Sequence, residues 1–193
     1  MTSSNVTAAT RFLEVGQQRY AYRRFGDGPG HPLLFPQHFT GTLDNWDPAV
    51  TDPLARGREL ILFENAGVGR STGSVPTTIA GMAQHAFAFL DALKLGRCDV
   101  LGFSLGGMIA QQMALDRPTV FRRMVLVGTA PRGGEDIMHL GKPSLQVHLP
   151  AECPVLTYLP GGERPLPGRP MTCLMSHIKE QQLSALLSAD ANR

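Results

Sequence analysis

Cysteine is scarce in this sequence and is not spaced for pairing. Cys98, Cys153 and Cys173 are the only three, an odd number without a Cys-x-x-Cys motif. This usage favours neither a disulfide framework nor a zinc site. Because free thiols suit a reducing compartment, the sequence predicts a cytoplasmic protein without a metal centre.

The chain also lacks an excess of one charge and a long hydrophobic run. Its formal net charge is only +2, and its 18 Lys and Arg residues are scattered, whereas nucleic-acid or anionic-membrane partners require massed basic residues. No run approaches the roughly 20 apolar residues that span a bilayer, and the first residues do not resemble an export signal. We therefore expect a soluble, unexported protein with neither a nucleic-acid nor a membrane partner.

The sequence contains enough hydrophobic residues to form one core. The 193 residues are 42% hydrophobic, so a single domain over residues 1–193 is predicted. RFLEV and QRYAYRRFG alternate in polarity and predict two exposed strands. Five short apolar runs are typical of parallel strands covered on both faces; they are residues 32–35, 59–63, 98–102, 122–128 and 153–159.

A helical pattern separates the second apolar run from the third. Residues 77–96 carry apolar side chains at helical spacing, after a Thr N-cap and before Gly96 as the predicted C-terminus. Alternation of strands and helices predicts an α/β fold, a mostly parallel sheet with flanking helices.

One short motif carries the chemistry. Gly102-Phe103-Ser104-Leu105-Gly106 is a G-x-S-x-G pattern that begins at the end of an apolar run and continues into a helical pattern. In that context a sharp turn exposes the serine hydroxyl at the carboxyl edge of the sheet, and small residues at Gly102 and Gly106 allow strand and helix to approach. The N–H of Leu105 then faces the place where an oxyanion would form. A Ser-Gly-rich turn without chemistry is the alternative interpretation.

With this motif in place, the chain resembles the α/β-hydrolase fold family, in particular its esterases and cofactor-free haloperoxidases. LLFPQHFTGTLDNWDPAV is similar to the family's third-strand region, LILFENAGVGRSTG to its next strand and Asp-x-x-Gly-x-Gly-x-Ser loop, and MVLVGTAP to the strand after the serine. The resemblance covers most of residues 11–131. It implies that Ser104 is a nucleophile, that the backbone N–H groups of Leu105 and Phe39 hold an oxyanion, and that no cofactor is used.

Two departures from the family pattern are visible. Gln37-His38 stands where the family usually has His-Gly, and Asn65 is placed where an Asp is usual. Phe39 would act through its backbone, so these side-chain changes do not remove the donor. A histidine in place of glycine nevertheless restricts the conformation of the loop.

The resemblance implies an acid and then a histidine after the serine. Glu163 takes the acid position when Pro167 is aligned with the family's proline, although a charged turn residue without a role is an equal alternative. No histidine is assigned as the base: His177 lies too early, in a predicted helix, and His139 and His148 lie in a short connection. That connection, residues 129–153, predicts a reduced cap. The chain stops at Arg193, where the histidine is due, so we expect a fold incomplete at its C-terminus.

Two functions remain open from the sequence. The first is a serine hydrolase of weak activity on a small ester-like substrate, whose acyl group is apolar because the surrounding residues are Phe39, Trp46, Phe103, Leu105 and Met108. The second is a non-catalytic or truncated homologue that binds a ligand or has no function. Self-association through an unpaired sheet edge is expected under either. His31, His85, Glu135 and Asp136 are interpreted as structural or solvated residues.

Overall fold

A computed structural model describes residues 4–130 and the strand Val155–Tyr158. The described strands form one sheet in the order β1-β2-β4-β3-β5-β6-β7. β2 pairs antiparallel with β1 and β4, and the other neighbours pair parallel. The strands are β1 (Arg11–Val15), β2 (Gln18–Phe25), β3 (Leu33–Phe35), β4 (Leu60–Phe63), β5 (Cys98–Phe103), β6 (Phe121–Val127) and β7 (Val155–Tyr158). The predicted mostly parallel sheet is confirmed.

Helices cover both faces of this sheet, as predicted. Helices α2 (Ile79–Ala92) and α3 (Leu105–Asp116) pack on one face, in a cluster that includes Phe89 and Met113. Helix α1 (Pro48–Leu54), which follows a 3-10 helix (Leu43–Asn45), packs on the other face. Neighbouring residues of the central strands alternate between the two clusters, and this explains why their sequences are continuously apolar.

Two details differ from the sequence-based expectation. β2 is largely buried, because it lies between β1 and β4 and its side chains pack into both clusters; of the two strands predicted to be exposed, β1 alone is exposed. Helix α2 begins after a Thr N-cap, as predicted, and the structure shows that this cap is Thr78; the helix ends before Gly96. Lys94 takes the left-handed conformation (φ 52°) instead, and the N–H of Leu95 bonds to the carbonyl of Leu90 (3.0 Å). Leu95 packs on the first cluster, which stabilises this earlier stop.

The described residues contain no helix that is both long and apolar enough to cross a membrane.

Candidate active site

Ser104 occupies a single-residue turn between β5 and α3. Its backbone has φ 51° and ψ −122°, a combination that residues with a side chain rarely adopt. The N–H of Ser104 donates to the carbonyl of Val127 on β6 (3.0 Å), and the Thr129 hydroxyl donates to the Ser104 carbonyl (2.8 Å). The side chain is partly exposed at the carboxyl end of β5. The surrounding fold therefore maintains a strained backbone that presents a hydroxyl to solvent.

Glycines around Ser104 make this turn possible. A Cβ atom at Gly102 would lie 2.5 Å from the Cα of Gly107, and one at Gly106 would lie 2.2 Å from the carbonyl oxygen of Pro36. The sequence argument that a small residue lets strand and helix approach is confirmed for Gly102, whereas Gly106 is required by the loop after β3 rather than by β5. The sequence-based prediction overlooked Gly107, where a Cβ would lie 2.6 Å from the side chain of Thr129. The doubled glycine in GFSLGG was the available signal.

The start of α3 supplies backbone donors beside Ser104. Leu105 is the first residue of the helix, so its N–H has no acceptor within α3. The N–H groups of Gly107 and Met108 turn back to the Ser104 carbonyl, at 2.9 and 3.4 Å. Unpaired N–H groups and the helix dipole together favour a negative charge at this end.

The loop after β3 runs alongside the start of α3. The carbonyl oxygens of Pro36 and Gln37 approach Gly106 so closely that a Cβ there would lie 2.2 and 3.2 Å from them. This contact brings the backbone that leads to Phe39 next to the serine turn. The Phe39 side chain itself is 70% exposed, so the residue packs against little of the described structure. An oxyanion role for its N–H stays a prediction.

Aromatic rings pack behind this loop. The ring of Trp46 meets Phe35 edge-on at 4.8 Å between centroids, and its Nε1–H donates to Oε1 of Gln37 (2.9 Å). His38 packs edge-on against Trp46 at 5.9 Å and against Phe103 at 5.6 Å. Because Trp46 and Phe103 are both buried, they support the loop from behind rather than lining an open pocket.

The loop after β4 has Glu64, not Asn65, at the position where the family usually has an Asp. The sequence-based placement of Asn65 there was wrong. Counted back from Gly67, Gly69 and Ser71, the first position of Asp-x-x-Gly-x-Gly-x-Ser falls on Glu64. The buried Glu64 carboxylate accepts the N–H of Leu43 (3.2 Å) and that of Arg70. It thus fixes the loop against the 3-10 helix.

The remaining candidates are not brought to Ser104. His31 lies near the carbonyl of Arg97 (3.1 Å), just before β5 begins, and His85 lies 2.6 Å from the Tyr20 hydroxyl. Burial raises the pKa of the Cys98 thiol to about 12, so this cysteine is no nucleophile. The proposed acid and bases lie outside the described residues, as do the two solvated acids: Glu163, His139, His148, His177, Glu135 and Asp136.

Comparison with known proteins agrees with this geometry. The family model described as alpha/beta hydrolase fold matches residues 31–146. A structure of an alpha/beta hydrolase fold protein from Chitinophaga pinensis is 47% identical, with a TM-score of 0.68 over 72% of this chain and 51% of that chain. The structure of Est816, an N-acyl homoserine lactone degrading enzyme, is 30% identical with a TM-score of 0.56, over 62% of this chain and 46% of that one.

One sequence relative is named for an acetyltransferase rather than for a hydrolase. The dihydrolipoyllysine-residue acetyltransferase component of the acetoin cleaving system from Cupriavidus necator is 34% identical over 138 residues, which are 71% of this chain and 36% of that protein. The chain therefore spans only about a third to a half of the length of these relatives.

Proposed function

Because the chain belongs to the alpha/beta hydrolase fold family, we propose that it is a serine hydrolase in which Ser104 attacks small ester-like substrates. The observation that carries the proposal is the backbone of Ser104, held at φ 51° between glycines that no larger residue could replace. Such strain persists where the surrounding structure over-determines it, typically at functional sites. Ser104 is also partly exposed and lies at a helix N-terminus.

The chemistry follows from the atoms around Ser104. Its Oγ adds to the substrate carbonyl carbon while a base removes the hydroxyl proton. The carbonyl oxygen becomes an oxyanion, which accepts hydrogen bonds from the N–H groups of Leu105 and Phe39. The C–O bond to the leaving alcohol then breaks, and the alcohol takes the proton. Water releases the acid from the acyl-enzyme by the same sequence, with Ser104 as the leaving group.

The mechanism requires a base, and none is assigned in this chain. We assign Glu163 to orient an imidazole, but no histidine of this chain holds a position that matches the family's base. A serine without its imidazole remains a poor nucleophile. The activity proposed for this chain of 193 residues is therefore weak.

An apolar acyl group is the proposed substrate feature. Leu105 and Met108, half-buried at the start of α3, and the exposed Phe39 offer the accessible apolar surface near Ser104. The buried rings of Trp46 and Phe103 support the loop that carries Phe39 from behind. Est816 degrades an N-acyl homoserine lactone. A lactone is a cyclic ester, so this relative supports an acyl-ester class without identifying the substrate.

A fluorophosphonate probe tests the proposal directly, because it reacts covalently with an activated serine. We expect slow labelling of the wild-type chain, none in Ser104→Ala, and weak hydrolysis of an activated short-chain aryl ester, far below the rate of a hydrolase with a complete triad. An oxyanion hole and binding site alone leave about 10³ to 10⁴ over water. Equal labelling of wild type and Ser104→Ala would refute the nucleophile and favour a ligand-binding or inactive homologue.

Fast stoichiometric labelling that requires Ser104 would have another meaning. It would contradict the weak activity while supporting the nucleophile. Substitution of His139, His148 and His177 to alanine, one at a time, would then identify the base. His31→Ala is the matched control, because His31 lies at the opposite ends of the parallel strands.

A further inference from the structure

The histidine that replaces a glycine in the loop after β3 is held in one orientation. His38 Nδ1 lies 3.1 Å from the carbonyl oxygen of Phe39. A carbonyl oxygen only accepts hydrogen bonds, so Nδ1 carries the proton in the neutral ring and Nε2 is bare. The hydrogen bond also fixes the orientation of the Phe39 carbonyl, and with it the backbone on the C-terminal side of Phe39.

The same ring packs on the strand that carries the nucleophile. His38 meets Phe103 edge-on, with 5.6 Å between centroids and an angle of 70°, and meets Trp46 at 5.9 Å and 73°. Phe103 is the residue before Ser104. Edge-to-face pairs are favourable beyond the area they bury, so the ring connects the loop to β5.

Gly41 leaves the space that the ring occupies. A Cβ at Gly41 would lie 2.7 Å from Nε2, 2.8 Å from Cε1 and 2.9 Å from Cδ2 of His38. These separations are shorter than real Cβ contacts. The φ of Gly41 is not positive, so its backbone tolerates an alanine, and the three atoms nearest to a Cβ there all belong to the His38 ring. The His38 ring can lie in this position only because residue 41 is a glycine.

We infer that His38 is a positioning residue for the oxyanion-binding backbone. Its Nδ1–H orients the Phe39 carbonyl and thereby the backbone that follows the proposed donor, its ring packs against Phe103 beside Ser104, and Gly41 leaves the space that accommodates the ring. The catalytic consequence rests on the proposed function. The coupling between His38 and Gly41 does not, because it follows from contacts alone.

A double-mutant cycle tests this inference. The variants are Gly41→Ala, His38→Gly and the combination of both, and the readouts are Ser104 labelling, ester hydrolysis and the carbonyl ¹³C chemical shift of Phe39, which reports the hydrogen bond from His38. We expect Gly41→Ala and His38→Gly each to lower kcat by about 10-fold with little change in KM, because oxyanion donors act on the transition state. In the His38→Gly background, Gly41→Ala should have no further effect.

Two conservative variants separate the contributions of the ring and the donor. His38→Asn keeps an N–H near the Nδ1 position and should restore part of the kcat lost in His38→Gly. His38→Phe keeps the ring contacts with Phe103 but loses the donor, so the carbonyl ¹³C shift of Phe39 should move away from its wild-type value. Equal kcat and an equal Phe39 carbonyl shift in His38→Gly, His38→Asn and wild type would overturn the positioning role.

The readouts also distinguish failure of the inference from failure of the proposed function. If Ser104→Ala labels like wild type, the serine mechanism fails, yet the Phe39 carbonyl ¹³C shift and ¹⁵N spectra of the His38 ring still decide the inference. Protonation at Nδ1 in the neutral ring and non-additive changes of the Phe39 carbonyl shift in the cycle support it. An Nε2–H tautomer, or additive effects of the two substitutions, refutes it.

Discussion

Ser104 illustrates how a single residue can be held against its own conformational preference. At φ 51° and ψ −122° a side chain costs on the order of 1–3 kcal/mol. The hydrogen bonds of Ser104 to Val127 and Thr129 hold the turn at both its N–H and its carbonyl. The cost is therefore local, and a substitution that removes the Cβ should recover part of it.

We predict that Ser104→Gly is more stable than Ser104→Ala by about 1 kcal/mol. Both variants lack the hydroxyl, but only glycine adopts this backbone without strain, and the gain exceeds glycine's larger entropy in the unfolded chain. Urea unfolding of the two variants measures the difference. Equal midpoints would show that the turn is unstrained.

A second residue-scale prediction concerns Gly106. A Cβ at this position would lie 2.2 Å from the backbone oxygen of Pro36, so Gly106→Ala has to displace the loop after β3. We expect it to destabilise the fold by about 2 kcal/mol or more and to abolish labelling of Ser104. Gly96→Ala is the control, because nothing lies within 4 Å of its Cβ position; a similar loss in both variants would contradict the packing argument.

At the scale of elements, local sequence patterns predicted where the strands and helices lie along the chain. Apolar runs located the central strands, because parallel strands with helices on both faces bury every residue. The exposure of β2 was predicted wrongly, since alternation of polarity does not reveal that β1 covers its edge. The end of α2 was also missed: Lys94 takes the glycine-like conformation because Leu95 gains a place in the core.

The N-terminus of α2 provides the element-scale prediction. The Thr78 hydroxyl accepts the N–H of Gly81 (3.0 Å), so Thr78→Ala should cost about 1 kcal/mol of unfolding free energy. Its exposed neighbour Thr77 lies outside the helix, and Thr77→Ala should leave stability within about 0.5 kcal/mol of wild type. Chemical denaturation of both variants measures this difference, and equal values would argue against the cap.

At the scale of the molecule, the site was predictable where its parts are contiguous. Ser104, Leu105 and the flanking glycines share one strand-turn-helix segment, so a short motif identified them. The coupling of His38 to Phe103 joins residues 65 positions apart in sequence, and no local pattern reports it. The misplacement at Asn65 has another cause, because the spacing of Gly67, Gly69 and Ser71 already puts the first position of the motif on Glu64. Only the contact of Glu64 with Leu43 comes from the fold.

Long-range polar contacts also join the N-terminal segment to the sheet. The buried guanidinium of Arg23, on β2, donates to Asn5 and to the carbonyl of Leu43 (3.3 Å), and it pairs with Asp44 in the 3-10 helix. The hydrogen bond from Arg23 is the main cause that lowers the pKa of Asp44 from 3.8, and Arg70 adds to it. One side chain thus connects the N-terminal segment, the sheet and the loop that precedes α1.

This arrangement predicts an acid-sensitive contribution to stability. A folded-state pKa below the unfolded value means that the Asp44 carboxylate stabilises the fold above about pH 4, and that this contribution is lost as the pH falls through the lowered pKa. Asp44→Asn should therefore be less stable than wild type at pH 7, and the two should converge below pH 3.8. Urea unfolding across this range measures the convergence.

Asp91→Asn is the control for this prediction. It removes an exposed pair with Arg117 and should change stability at pH 7 by less than about 0.5 kcal/mol. A gap between Asp44→Asn and wild type that persists unchanged to about pH 2.5, below the pKa range of an ordinary Asp, would show that Asp44 acts through packing rather than through its charge.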